Sequence, residues 1–305
     1  MILNRVFYRD KTMGNLTVAK PDVQSFFDEP TNTVSYVVTD PVSKSCAIID
    51  TVLVFDHASG RTSTDAADQI LAYLKEHDLK VEWILETHVH ADHLSAAPYI
   101  QQKVGGKIGI GAHIIDVQTI FGKIFNEGSE FQRDGSQFDR LFNDGDHFSI
   151  GTIEGLVMHT PGHTPACMTW LIGDAAFVGD TLFMPDYGTA RCDFPGGDAR
   201  ILYRSIQKIF ALPPETRLFL CHDYRPAGRD HYAWETTVAE ERAKNIHVRD
   251  GISEDEFVAM REARDKTLSM PKLILPSIQV NMRAGEMPKA EDNGTAYLKI
   301  PLNAI

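Results

Sequence analysis

Residues 88–93 read His88-Val89-His90-Ala91-Asp92-His93, three imidazoles and one carboxylate in the pattern H-x-H-x-D-H. An apolar run (Val81, Trp83, Ile84, Leu85) delivers them, and a helix-like stretch, Leu94 to Lys103, carries the chain away. Side chains two apart on an extended segment point the same way, so His88 and His90 are placed to face one ion. Asp92 and His93 follow in the loop, where a tight turn brings them to a second nearby position. Imidazoles and a carboxylate this crowded repel one another or go unsatisfied unless a cation lies between them.

Three further junctions carry the same signature. The strand Thr152–His159 runs into Pro161-Gly162-His163-Thr164, Ala175–Val178 ends at Gly179-Asp180, and Leu218–Cys221 ends at His222-Asp223-Tyr224. Any one of them alone reads as a structural turn. Four strands ending in metal-type ligands point to a common site at one sheet edge, with rigid strands holding ligands while loops vary. Asp50, after the apolar run Ala47-Ile48-Ile49, is either a turn residue or a brace for the metal loop.

The elements that must position these residues are legible from periodicity. Ile2–Tyr8, Thr33–Thr39 and Ser45–Ile49 read as strands, Phe55–Ser63 as a polar loop and Thr64–His77 as a helix. The order β, β, α, β, motif, α suits helices packed outside a sheet. A helix is expected near Ile114–Phe125, followed by a long loop that is either a candidate lid over the site or a segment whose phenylalanines, Phe131, Phe138 and Phe142, pack onto the core. Glu235–Ile246 and Ser253–Lys266 read as helices, the second opening on a capping box of Ser253 and Glu256, whereas Lys272–Met282 and Ala296–Pro301 read as edge strands or extended arms. We expect a main domain over 1–240 and a C-terminal extension over 241–305 packed on it.

Composition narrows the function. The chain has 305 residues, 43% hydrophobic and 24% charged, ordinary for a soluble globular protein. No apolar stretch approaches the roughly 20 residues that cross a bilayer, and Met1–Lys20 lacks the apolar block of a signal peptide, so no membrane role and a cytoplasmic location are expected. A net charge of −12 argues against nucleic acid and requires a local cationic patch for any anionic substrate. Cys46, Cys167, Cys192 and Cys221 are widely spaced and read as reduced, buried thiols; Cys192 reads as a small hydrophobe rather than a nucleophile.

In order and spacing, His88-x-His90-x-Asp92-His93, His163, Asp180 and His222 resemble the metallo-β-lactamase superfamily over about residues 30–225, and Asp50 stands where that superfamily usually has an acidic residue. The resemblance implies an α/β fold, the αβ/βα sandwich of two sheets flanked by helices. Within it, Asp180 to Phe194, with Arg191-Cys192-Asp193-Phe194, and Cys221-His222-Asp223-Tyr224 look like the persulfide dioxygenase (sulfur dioxygenase) branch, the relatives of the ethylmalonic encephalopathy protein. Glyoxalase II is similar at every metal position but does not typically carry those two signatures.

The persulfide dioxygenase resemblance implies one Fe(II) per chain held by His88, His163 and Asp180, with His90, Asp92, His93 and His222 as surrounding hydrogen-bonding groups and Arg191 and Tyr224 beside iron and substrate. Two imidazoles and one carboxylate are the donor set of oxygen-activating non-haem iron. The implied reaction takes glutathione persulfide, O2 and water to glutathione and sulfite. Arg191, Arg225 and Arg229 are the guanidinium groups near the motifs suited to glutathione's carboxylates, and Asp193 is a ready partner for Arg191. The rival is a dizinc thioester hydrolase or lactonase, in which His88, His90 and His163 hold one zinc, Asp92, His93 and His222 the other, and Asp180 bridges. Tail strands able to pair with a partner make a homodimer the expected assembly.

Overall fold

Along β2 (Thr33–Thr39), Val34, Tyr36 and Val38 face one apolar layer and Val37 the opposite one. The same period-two split recurs in β3 (Ser45–Ile49), β6 (Lys80–Leu85) and β12 (Met168–Ile172), so these strands are buried on both faces. That is why they read as nearly unbroken apolar runs. The computed structural model describes residues 20–304, and the strand expected at residues 2–8 lies outside them.

One six-stranded sheet has the order β1 (Asp22–Asp28), β2, β3, β6, β8 (Lys107–Gly111), β9 (Arg140–Phe142). The other runs β10 (His147–Ile150), β11 (Ile153–His159), β12, β13 (Ala175–Phe177), β14 (Arg217–Phe219), β15 (Glu235–Thr237). Tyr36, Ile49 and Leu85 from the first sheet meet Val157, Trp170 and Phe219 from the second in the layer between them. Full burial of one such side chain contributes about 1.5–3 kcal/mol. Helices α1 (Asp65–Glu76), α2 (Ala97–Val104), α3 (Ile114–Ile124) and a late helix over Ile274–Asn281 cover the outer face of the first sheet. Helices α4 (Ala199–Phe210), α5 (Val238–Lys244) and α6 (Glu254–Asp265) cover that of the second. This is the αβ/βα layering the resemblance implies.

Several local expectations give way. The polar loop at Phe55–Ser63 is a hairpin, β4 (Val52–Asp56) with β5 (Arg61–Ser63), and Leu94–Ser95 joins β4 as β7 before α2 begins. Glu235–Thr237 pairs with β14 rather than opening the helix. Phe131, Phe138 and Phe142 are buried in the core, so that segment is not a lid. Lys272–Met282 is not extended: Ile274–Asn281 is helical and becomes α7. Pro276 signals a break only in a helix interior; here it sits in the first turn, where its missing N–H has no intrahelical partner to lose. Ala296–Pro301 forms no regular element. The capping box of Ser253 and Glu256 forms as read.

Gly162 shows how tightly the site's loops seat. Its φ is 134°, and a Cβ there would lie 2.4 Å from the backbone N and Cα of Leu202 in α4. Its carbonyl also accepts the Asp198 N–H at 2.8 Å. Gly162→Ala is therefore expected to cost more than about 1 kcal/mol, read as a lower thermal unfolding midpoint; an unchanged midpoint would show the loop free to move off α4.

Candidate metal centre

β3 and β6 run parallel, so the loops after them leave the same edge. Asp50 follows β3 with a φ of 53°, which turns its carboxylate onto the neighbouring loop. There it accepts the Thr87 N–H at 2.7 Å and the Thr87 hydroxyl at 2.8 Å. Its Oδ1 also lies 3.0 Å from His90 Nε2, with Glu86 Oε2 3.4 Å from the same nitrogen. Burial alone would raise the Asp50 carboxyl, but His90 and the two Thr87 donors hold it below its ordinary range. Asp50 thus touches both the main chain that precedes His88 and the His90 ring.

Four rings at the centre each have Nδ1 fixed by the protein. His163 Nδ1 donates to the Arg191 carbonyl at 2.8 Å, His222 Nδ1 to the Asn32 carbonyl at 3.1 Å and His93 Nδ1 to the Leu94 carbonyl at 3.1 Å. The Thr87 hydroxyl gives its hydrogen to Asp50, so at 3.0 Å it can only accept from His88 Nδ1. In all four rings Nε2 is then the nitrogen left to face a metal. Gly179, at φ 52°, brings the chain close enough to Thr87 that a Cβ would lie 2.6 Å from its hydroxyl oxygen, and Asp180 follows at once.

The ligand atoms of His88, His163 and Asp180 lie within 4.8 Å of one another, as do those of His90, Asp92 and His93 and those of His90, Cys221 and His222. Asp180 stands between the halves, Oδ2 3.5 Å from His163 Nε2 and Oδ1 3.3 Å from His222 Nε2. His222 Nε2 is also 3.4 Å from Asp92 Oδ2. Burial and the neighbouring His90 push His93 down to about 4. Burial works against the Asp92 carboxylate, yet His222 and His93 hold it at about 2. His93 Nε2, His222 Nε2, Asp180 Oδ1 and His90 Nδ1 are buried with no hydrogen-bond partner. Orphaned atoms of this kind cost roughly 1–3 kcal/mol apiece, and together they fit a cation. Burial raises the Cys221 thiol. All four cysteines are buried and none is paired with another.

The centre opens into a cavity of about 580 Å³ whose lining includes Asp92, His93, His163, Asp180, Arg191 and Tyr224. Arg191 presents its fork to Asp193, at 2.6 and 2.7 Å, and donates to the Ser269 carbonyl at 2.7 Å. Arg229 lies off the cavity, tied to Asp223 at 2.6 Å and Asp186 at 2.9 Å, and Arg225 lies over the Tyr232 ring instead. Tyr224 is 37% exposed and stacks on Tyr187 at 5.0 Å. Burial of its hydroxyl and the nearby Asp180 and Asp92 push the phenol well above its ordinary value.

The sequence reading passed over Glu86, Arg264 and Lys272. Glu86 is a carboxylate at the end of a strand, the signature used for Asp50 and Asp180, so it was findable. Arg264 and Lys272 line the cavity from the C-terminal region, outside every motif. Of the four Arg and Lys residues lining it, Arg191 is paired with Asp193 and Arg261 with Asp265. Arg264 and Lys272 have no carboxylate partner among the described residues.

This architecture and ligand order define a class, and the chain belongs to the metallo-beta-lactamase superfamily, whose model matches residues 28–222. It is similar to a probable metallo-hydrolase of Burkholderia pseudomallei, 60% identical over 93% of this chain and 99% of that protein. It is also similar to glyoxylase B2 of Dictyostelium discoideum, 50% identical over 94% of this chain and 98% of the other. The mitochondrial persulfide dioxygenase ETHE1 of Mus musculus is 28% identical over 86% of this chain and 88% of its own. The crystal structure of ETHE1 from Myxococcus xanthus superposes with a TM-score of 0.69 at 29% identity, covering 87% of this chain and all of that one. No helix among the described residues is long and apolar enough to cross a membrane.

His163→Ala removes one of the two donors that converge with Asp180. Metal analysis of the purified variant is expected to find the ion lost, with the thermal midpoint of the metal-free protein little changed; full metal occupancy would show that His163 is not a ligand.

Proposed function

We propose that the protein is a persulfide dioxygenase with one Fe(II) held by His88, His163 and Asp180, oxidising glutathione persulfide with O2. The observation that carries this reading is that those three donors converge without His90, whose Nε2 is drawn instead to Asp50 and Glu86. Fe(II) on two imidazoles and one carboxylate supplies the redox chemistry toward O2. One persulfide, one O2 and one water give one thiol, one sulfite dianion and two protons. The sulfur–sulfur bond breaks, and the outer sulfur loses the four electrons that O2 gains.

The protein's own groups bind and orient. Tyr224, kept protonated, is a hydroxyl donor for the persulfide sulfur, and Tyr187 and Phe183 pack against its ring. Arg264 and Lys272, the uncommitted cations of the cavity, attract the carboxylates of a glutathione-type substrate within a protein of net charge −12. Arg191 shapes the wall and positions His163 through its main-chain carbonyl.

A second reading, a dizinc thioester hydrolase, draws on the unpartnered Nε2 atoms of His93 and His222 beside Asp92 and on the relatives named as hydrolase and glyoxylase. Oxygen uptake and sulfite release by the Fe(II)-loaded protein with glutathione persulfide test the choice. No uptake, with thioester hydrolysis by a protein holding two zinc ions, overturns the dioxygenase.

Two substitutions probe substrate binding. Reversing both charges, Arg264→Glu with Lys272→Glu, is expected to raise KM about tenfold, roughly 1.4 kcal/mol, with kcat unchanged; an unaltered KM places the substrate carboxylates elsewhere. Arg191→Ala is expected to raise KM while metal content stays intact, because the bond to His163 uses the main chain. Loss of metal would show that the Asp193 pairing is what holds that carbonyl in place.

A further inference from the structure

Asn281, the last residue of α7, lies beyond the segment that matches the superfamily and outside every motif. It is 5% exposed. Its Nδ2 donates to the carbonyls of His90 at 2.9 Å and His93 at 2.8 Å, and its Oδ1 accepts the Ser95 N–H at 2.8 Å. The loop has left β6 and not yet entered β7, so its main chain has no ladder to join there. One side-chain amide supplies both donors and the acceptor instead, a combination no carboxylate can offer.

The platform beneath it is fixed. Ile274 and Ile278 of α7 are buried in the core of the first sheet. Gly285, just past the helix, approaches so closely that a Cβ would lie 2.9 Å from the Ser95 carbonyl and 2.6 Å from Pro98 Cδ. Ser95 in turn donates its hydroxyl to Glu86 Oε1. The loop that carries His90, Asp92 and His93 is thus clamped at both ends and in the middle.

We infer that Asn281 is a positioning residue for the metal centre: through three hydrogen bonds it sets the path of residues 90–95, and so where Asp92 and His93 point. The inference rests on reading His90, Asp92 and His93 as a donor set that takes an added ion beside the one held by His88, His163 and Asp180, and not on which reaction the site performs.

The test uses Co(II) alone, added to the metal-free full chain of the wild type, Asn281→Asp and Asn281→Ser, with dissociation constants and visible spectra recorded. Asn281→Asp keeps the acceptor for Ser95 and loses both donors; Asn281→Ser shortens the side chain. Val280→Ala, a fully buried neighbour on the same helix that touches none of these bonds, controls for loss of stability. The expected result is a dissociation constant raised about tenfold or more for the Co(II) ion at His90, Asp92 and His93, with an altered spectrum, in both Asn281 variants, and Val280→Ala like the wild type. Wild-type affinity and spectrum in either folded Asn281 variant overturn the role. An equal effect in Val280→Ala also overturns it, by reducing it to general destabilisation. Should both Asn281 variants fail to fold, Gly285→Ala, which pushes on the Ser95 carbonyl from the same side, takes their place, and a wild-type spectrum there overturns the proposal. A wild type that binds no Co(II) removes the metal site and this role with it, whereas wild-type binding without persulfide oxidation leaves the role standing and rejects only the proposed reaction.

Discussion

The structure turns on the outward nitrogens of four buried imidazoles. Thr87, Leu94, Arg191 and Asn32 each supply an oxygen that takes the Nδ1 hydrogen of a ring, and each of those oxygens is itself fixed by the chain around it. With Nδ1 committed, every Nε2 faces inward, where Asp92 and Asp180 add negative charge. Such a space is stable only with positive charge in it. Much of the surrounding structure serves to keep those four oxygens where they are.

The oxygens come from both halves of the sandwich, which makes the site a property of the assembled fold. The turn between β1 and β2 lends the Asn32 carbonyl to His222, on the far sheet, and the reverse link runs from the Val34 N–H to the Cys221 carbonyl at 2.8 Å. Tyr36, buried between the sheets, reaches the Leu220 carbonyl with its hydroxyl. On the other side, Asp265 accepts the Cys192 N–H at 2.8 Å, and Arg261, paired with Asp265, donates to the Thr189 carbonyl at 3.0 Å. That buried pair in α6 seats the stretch whose Arg191 carbonyl orients His163. Removing one partner of such a pair typically costs about 3–5 kcal/mol, since the other is left charged and unsatisfied.

What the sequence made legible were features written in local pattern. The buried strands announced themselves as apolar runs, the ligands stood at strand ends, and glycines preceded His163 and Asp180. Ser253 and Glu256 declared a helix start three residues apart. What stayed hidden depended on partners distant in the chain. Nothing near Asn281 hints that its amide reaches His90, 191 residues earlier. Arg225 and Arg229 looked available because their neighbours in sequence are ligands, yet Arg229 is held by Asp186, 43 residues away. Arg264 and Lys272 looked like ordinary surface cations. Lys272–Met282 read as extended although Ile274–Asn281 is helical, because a proline in the first turn of a helix is tolerated and local sequence does not specify where in the helix Pro276 falls.

The number of ions is a subtler matter than the number of ligands. His90 sits between Asp50 and Glu86, and His222 between Asp92 and Asp180. Burial disfavours a charge on either ring, but the flanking carboxylates reverse that and raise both well above the ordinary histidine value. Two protons held this way carry the same charge as one further divalent ion. A single dication with both rings protonated and a pair of dications with both rings neutral therefore leave the buried cluster equally balanced. Charge does not choose between them, and this is why one ligand set resembles an iron dioxygenase and a dizinc hydrolase alike. The donors themselves fall into separate sets: His88, His163 and Asp180 lie together, while His90 groups with Asp92 and His93 or with Cys221 and His222.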